Sequence, residues 1–191
     1  IAVAVTMAAT AVPITCAFAD DVKTLISLGL MRGHLLSAAE LTAGGDSKQA
    51  GLHYHHPNAE LMADLGPAAA SLVEPLKALE AASDGGGDTK AALEGVLAAI
   101  GAAEVAAAAD KNGMATIVGM LEAAAEEYAA AYPAGKLENL EEYQDSRGFV
   151  LQASENFAAL AAKPAKATDI QAALDKLKTA WPAISGPDAP V

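Results

Sequence analysis

Cysteine is almost missing from this sequence. Cys16 is the single one among 191 residues, so no intrachain disulfide is possible and a disulfide scaffold is excluded. Multi-thiolate metal sites go with it. Aromatic residues make up only 4% of the chain, which argues against a β-sandwich built on branched and aromatic pairs. Basic residues are scarce as well. Lys and Arg number 12 against 24 Asp and Glu, for a net charge of −12. A nucleic-acid binder needs a basic footprint, and an anionic membrane surface repels a chain of this charge. Beyond residue 19 no apolar run reaches the ~20 residues that a membrane span requires. What the chain does have is alanine, roughly a quarter of all residues, far above ordinary usage. Alanine has the highest helix propensity, so the composition points to an all-α protein.

Residues 1–19 carry no charge and end in Ala17-Phe18-Ala19 before Asp20-Asp21. A short apolar stretch closing on small-x-small is the pattern of a secretory signal. We expect residues 1–19 to be a signal-peptide remnant, truncated at its front, and the mature chain to be periplasmic or secreted, without membrane insertion. Cleavage after Ala19 removes the lone cysteine.

The remainder reads as helices punctuated by Gly and Pro. The first is expected from about Asp21 to Ala43, capped by Asp20 or Asp21 and ended by Gly44-Gly45. The second starts at Asp46, with Gln49 placed as in a capping box, and is interrupted at Pro57. Helical pattern resumes through Leu65 and again to about Ala82. A loop over 83–88 precedes a helix from Thr89 to about Ala108. A turn is expected at Asp110-Lys111-Asn112-Gly113. Further helices follow at about Met114–Tyr132, Leu137–Ala162 and Thr168–Ala180, the last with Thr168 and Gln171 as a capping box. The expected architecture is an antiparallel up-and-down bundle of four or more long helices over residues 20–182, with an extended or disordered tail at 183–191.

All four histidines lie between residues 34 and 56, three of them in the run His53-Tyr54-His55-His56-Pro57-Asn58-Ala59-Glu60. Imidazole is the commonest metal ligand. His53 and His56 are three apart and share a helix face, while His56 and Glu60 are four apart and converge if the chain continues helically past Pro57. His55 points elsewhere. His34 lies on an apolar stripe with Leu30, Met31, Ala38 and Leu41, where an imidazole needs a partner. His34 and His56 stand about eleven residues either side of the Gly44-Gly45 turn, so a hairpin brings them to similar depth. The alternative for the run is a solvated helix end, and for His34 a hydrogen-bonded core histidine.

Acids supply the remaining candidates. Glu138, Glu142 and Asp145 follow i, i+4, i+7 spacing near a helix start, where the helix dipole favours them. One or two of them complete a His/carboxylate shell if that face turns inward. Glu127 lies among alanines and is a second candidate. Arg147 reads as a structural partner for a nearby acid. The His-Glu-x-x-His of zinc peptidases and the Glu-x-x-His pairs of di-iron bundles are both absent.

With Gly33-His34 on its first long helix, and with its exported, alanine-rich, helical character, the chain resembles the imelysin-like family. That family includes periplasmic iron-uptake components and carries a Gly-x-His-x-x-Glu hallmark. Here Gly33 adjoins His34, Ser37 stands three residues later and the nearest acid is Glu40, so the motif is broken. The runs His56-Pro57-Asn58-Ala59-Glu60 and Glu142-Tyr143-Gln144-Asp145 also resemble segments of exported bacterial helical proteins. The resemblance implies iron or another divalent ion.

We therefore expect a transition-metal-binding bundle using His34, His53, His56 and Glu60 with Glu142 or Glu127. Iron, zinc and copper all suit imidazole and carboxylate. The expected role is metal uptake beside a periplasmic or inner-membrane transport partner. A metal-assisted hydrolase of imelysin type and a metal-free interaction bundle are the alternatives.

Overall fold

The computed structural model describes residues 14–107 and 109–191, with side chains over 20–107 and 112–191. Residues 1–13, most of the expected signal segment, lie outside the described residues. The architecture is all-α, and no strand occurs among the described residues. Its helices are α1 (Ile14–Ala43), α2 (Ser47–His56), α3 (Val73–Asp84), α4 (Thr89–Ala106), α5 (Ala109–Ala131), α6 (Leu140–Ala159) and α7 (Ala167–Leu177).

Helix α1 is the shaft of the bundle, with α2, α4, α5 and α6 all packed on it. One face buries Leu28, Met31, Leu35 and Ala38 against α2, α3 and α4. Burying a side chain of Leu or Met size contributes roughly 1.5–3 kcal/mol, so this stripe anchors the shaft. The opposite side meets α5 and α6 through glycines. A Cβ on Gly33 would lie 2.6 Å from the Phe149 ring, and one on Gly148 would lie 2.3 Å from the Gly33 carbonyl oxygen. Only paired glycines let the α1 and α6 backbones approach this closely. One side-chain bond locks this crossing, Ser37 Oγ donating to the Gln144 carbonyl at 2.7 Å, and another ties α6 to α5, Ser146 Oγ donating to the Ala124 carbonyl at 2.6 Å. On the other flank the Arg32 guanidinium forks onto Glu104 at 2.8 and 2.9 Å, tying α1 to α4.

Several local expectations change. Helix α1 begins at Ile14 and runs through Asp20 and Asp21, so neither caps it. The expected turn at 110–113 is helical and belongs to α5. Gly113 serves close packing there, since a Cβ would sit 2.4 Å from Leu160 Cδ2. In α5, Met120 is a core residue while Val118 is half-exposed. Thr168 lies inside α7, whose N-cap is Lys166, so the Thr168–Gln171 capping box does not form. Asp46 does cap α2, accepting from the Gln49 N–H at 3.1 Å.

Pro57 does not end the helical course of the chain. A π-helical turn over Pro57–Leu61 follows α2 directly, and short 3₁₀ turns continue to Ser71. Single π-turns of this kind occur frequently at functional sites. The segment after Trp181 has no regular structure but is tied down: Tyr143 Oη donates to the Ala183 carbonyl at 3.0 Å, and Tyr132 Oη to the Pro187 carbonyl at 2.9 Å.

Candidate metal centre

Three elements carry imidazoles or a carboxylate to one buried point. His34 comes from mid-α1, His53 and His56 from adjacent turns of α2, and Asp145 from the second turn of α6. One ligand atom from each lies within 4.8 Å of all the others. The Gly33–Gly148 contact is what brings His34 and Asp145 together, since both lie beside that crossing.

The carboxylate is the hub. Asp145 Oδ1 lies 2.6 Å from His34 Nδ1 and 2.8 Å from His53 Nδ1, and Oδ2 lies 3.2 Å from His56 Nδ1. His34 Nδ1 and His56 Nδ1 are themselves 3.2 Å apart. All three rings thus aim the same nitrogen inward. Their outer nitrogens are treated differently. His53 Nε2 donates to Gln144 Oε1 at 2.8 Å, and the Gln144 amide is oriented by its own donation to the Ile184 carbonyl at 3.2 Å. His56 Nε2 donates to Glu141 Oε1 at 2.7 Å. A ring whose outer nitrogen carries the proton presents a lone pair from its inner one when neutral. Metal-ligating histidines are held in this way, the second N–H bound to a carboxylate or carbonyl.

Electrostatics follow from the same contacts. Burial raises the cost of charging Asp145, but hydrogen bonds from His34, His53 and His56 outweigh it and hold the carboxyl far below its usual range. For His56, burial opposes the charged ring, yet the hydrogen bonds to Asp145 and Glu141 and the charges of Asp145 and Glu60 push it up to about 9. The centre therefore stabilises positive charge. Protons or a metal cation can supply that charge.

The donor set fits a first-row transition ion. Three imidazole nitrogens and a carboxylate oxygen are borderline ligands suited to iron, zinc or copper. Four ligands at 2.0–2.2 Å stand roughly 3.4 Å apart, so the inner atoms need to open by several tenths of an ångström to admit an ion.

The expected residues divide. His34, His53 and His56 lie together with Asp145. Glu60 reaches only the rim, half-exposed, 3.7 Å from His34 Nε2 and 3.9 Å from His56 Nε2. Burial, together with the neighbouring Glu142 carboxylate, raises the Glu127 carboxyl to about 8. The four-atom group contains neither Glu127, Glu142 nor Glu60. Its acid is Asp145, three residues past Glu142 on the same face of α6. Glu138 is exposed. His55 turns away to Asp84 at 2.9 Å, and Arg147 pairs with Glu40. Gln144 and Glu141 were missed. The signal that marks the centre is the buried polar run Gln144-Asp145-Ser146 beside Gly148, inside a helix otherwise packed on apolar neighbours.

No helix among the described residues is long and apolar enough to cross a membrane. No curated protein and no solved structure matches the chain. A family model described as an iron permease-associated 4-helix bundle domain matches residues 104–191, which span α5–α7 and the tail and include Asp145. That match supports kinship with an iron-uptake-associated helical family and does not single out the imelysin-like one.

Proposed function

We propose that this chain binds a divalent transition-metal ion, iron in its biological setting, and presents it to a membrane transport partner as a step in iron uptake. The observation that carries the reading is the convergence of three Nδ1 atoms on Asp145, with the outer nitrogens of His53 and His56 bound by Gln144 and Glu141. The family match to an iron permease-associated domain supplies the choice of iron and of partner. Ligand chemistry alone does not select iron, because affinity for such sites rises along the series toward copper. The uncharged, apolar start of the sequence and the absence of thiol from residues 20–191 support a periplasmic location.

The test is metal loading of the untagged protein after chelator treatment, with ferrous iron under anaerobic conditions and with zinc. We expect a tightly held ion that His53→Ala and Asp145→Asn each weaken by more than the roughly 10–100-fold that losing an outer-shell partner costs. A wild-type chain that emerges metal-free from desalting would overturn the proposal.

A further inference from the structure

One nitrogen of the centre lacks what its counterparts have. The outer nitrogens of His53 and His56 are held by Gln144 Oε1 and Glu141 Oε1, at 2.8 and 2.7 Å. The His34 side chain is 2% exposed, and its Nε2 has no hydrogen-bond partner. A buried polar atom left alone is costly, so the exception at His34 needs a cause. The cause is where the ring carries its proton. Nδ1 lies 2.6 Å from Asp145 Oδ1, and an ionised carboxylate only accepts. The His34 proton therefore stands on Nδ1, and Nε2 keeps a lone pair. Coordination of an ion at Nδ1 reverses this, because a neutral ring bound at one nitrogen carries its proton on the other. The ring holds one proton in both states, and only its position changes. Nε2 then needs an acceptor.

Glu60 is placed to be that acceptor. Its Oε2 lies 3.7 Å from His34 Nε2, beyond bonding range in this structure. Its Oε1 lies 3.9 Å from His56 Nε2. The carboxylate thus faces the outer nitrogens of both rings, while Asp145 faces the inner ones. The side chain of Glu60 is half-exposed and rides on the π-turn Pro57–Leu61. Closing onto Nε2 takes a shift of only ~0.8 Å to reach an ordinary N–H···O distance.

We propose that Glu60 is a positioning residue of the loaded centre: it accepts a hydrogen bond from Nε2 of His34 once an ion occupies Nδ1, and so joins Gln144 and Glu141 as the third group that orients the imidazoles. The proposal rests on the metal-binding reading above. It makes Glu60 the partner of a ligand and not itself a ligand. Because Glu60 lies on the π-turn and His34 on α1, the same bond ties those two elements together when the ion is bound. Partners of this kind fix the ring orientation of a ligating histidine and raise its basicity.

Zinc, a d¹⁰ ion without redox chemistry, is the probe, added to the untagged full chain and followed by nitrogen NMR of the histidine rings. We expect the His34 proton on Nδ1 in the metal-free wild type and on Nε2 after loading, where it exchanges slowly with water. Competition with a chromophoric chelator should show zinc affinity down by about tenfold in Glu60→Ala, with fast exchange at Nε2. Glu60→Gln, whose amide oxygen still accepts, is expected to restore most of the affinity and the slow exchange. The wild-type proton shift is read without any substitution, so it stands even if Glu60→Ala does not fold by circular dichroism. Zinc bound at His34 Nε2 with the proton left on Nδ1, or Glu60→Ala matching wild type in both affinity and exchange, would overturn the role of Glu60 while sparing the centre. A wild type that takes up no zinc removes both.

Discussion

The pH dependence of the metal-free protein tests the electrostatics of the centre directly. His56 gains Asp145, Glu60 and Glu141 as neighbours on folding, and its pKa rises from 6.5 to about 9 despite burial. A raised imidazole contributes stability that is fully present below pH 6.5 and is lost as pH climbs through 9. The interval corresponds to about 3 kcal/mol. The His56 side chain is 11% exposed, so solvent screening removes little of this. For a chain of this size the loss lowers the melting temperature by roughly 6–12 °C. Glu127 moves stability in the same direction, because its carboxyl is raised from 4.5 to about 8 by burial and by Glu142. The informative quantity is therefore wild type minus His56→Gln, each melted without metal from pH 6 to 9.5. We expect that difference to shrink by about 3 kcal/mol across the window. Asp145 does not interfere, since its depressed carboxyl titrates only in strong acid. Bound metal reverses the slope: an ion at Nδ1 must displace the His56 proton, so apparent affinity rises up to about tenfold per pH unit until pH 9. A wild-type-minus-variant difference that stays flat from pH 6.5 to 9.5 would refute the charge coupling between His56 and Asp145.

Two further substitutions separate the shell from the frame. Gln144→Leu removes the acceptor for His53 Nε2 while keeping an apolar body of similar size; competition with a chromophoric chelator should show metal affinity down by roughly 10–100-fold, with helical content unchanged. Gly148→Ala places a Cβ 2.3 Å from the Gly33 carbonyl oxygen; overpacking of this kind costs about 3 kcal/mol, read by denaturant unfolding, and should weaken metal binding too because His34 and Asp145 sit beside the crossing.

The helical class, the α1–α2 hairpin and the meeting of His34 with His53 and His56 were legible because each depends on local rules. Periodicity sets a face, Gly44-Gly45 sets a turn, and equal counts from the turn set equal depth. The acid was harder. Glu142 and Asp145 share a face of α6, and nothing in their spacing says which one reaches the interior. That choice depends on how far α6 approaches α1, which the glycine pair at 33 and 148 decides across more than a hundred residues of chain. Gln144 was invisible for the same reason: its role needs the Ile184 carbonyl, from a segment read only as a tail. The helix across 110–113 shows the opposite failure. Asp, Asn and Gly are turn formers locally, yet packing of Gly113 on Leu160 rewards a continuous helix.

The division of ligands along the chain bears on what the matched segment can do. Residues 104–191 contain Asp145, Gln144, Glu141, Glu142 and Glu127 but none of the histidines. The imidazoles come from α1 and α2, which lie outside that match. Asp145 without them is a buried carboxylate stripped of the three rings that keep it charged, and a buried charge without partners is strongly unfavourable. Conversely, the α1–α2 hairpin without α6 leaves three rings facing each other with no acid between them. The two halves therefore depend on each other at the centre: the matched half supplies the negative charge, and the hairpin supplies imidazole nitrogens, donors that suit a transition ion better than a hard one. Chains that share the matched segment but lack a hairpin with histidines at these depths should retain the fold of α5–α7 and bind such ions weakly.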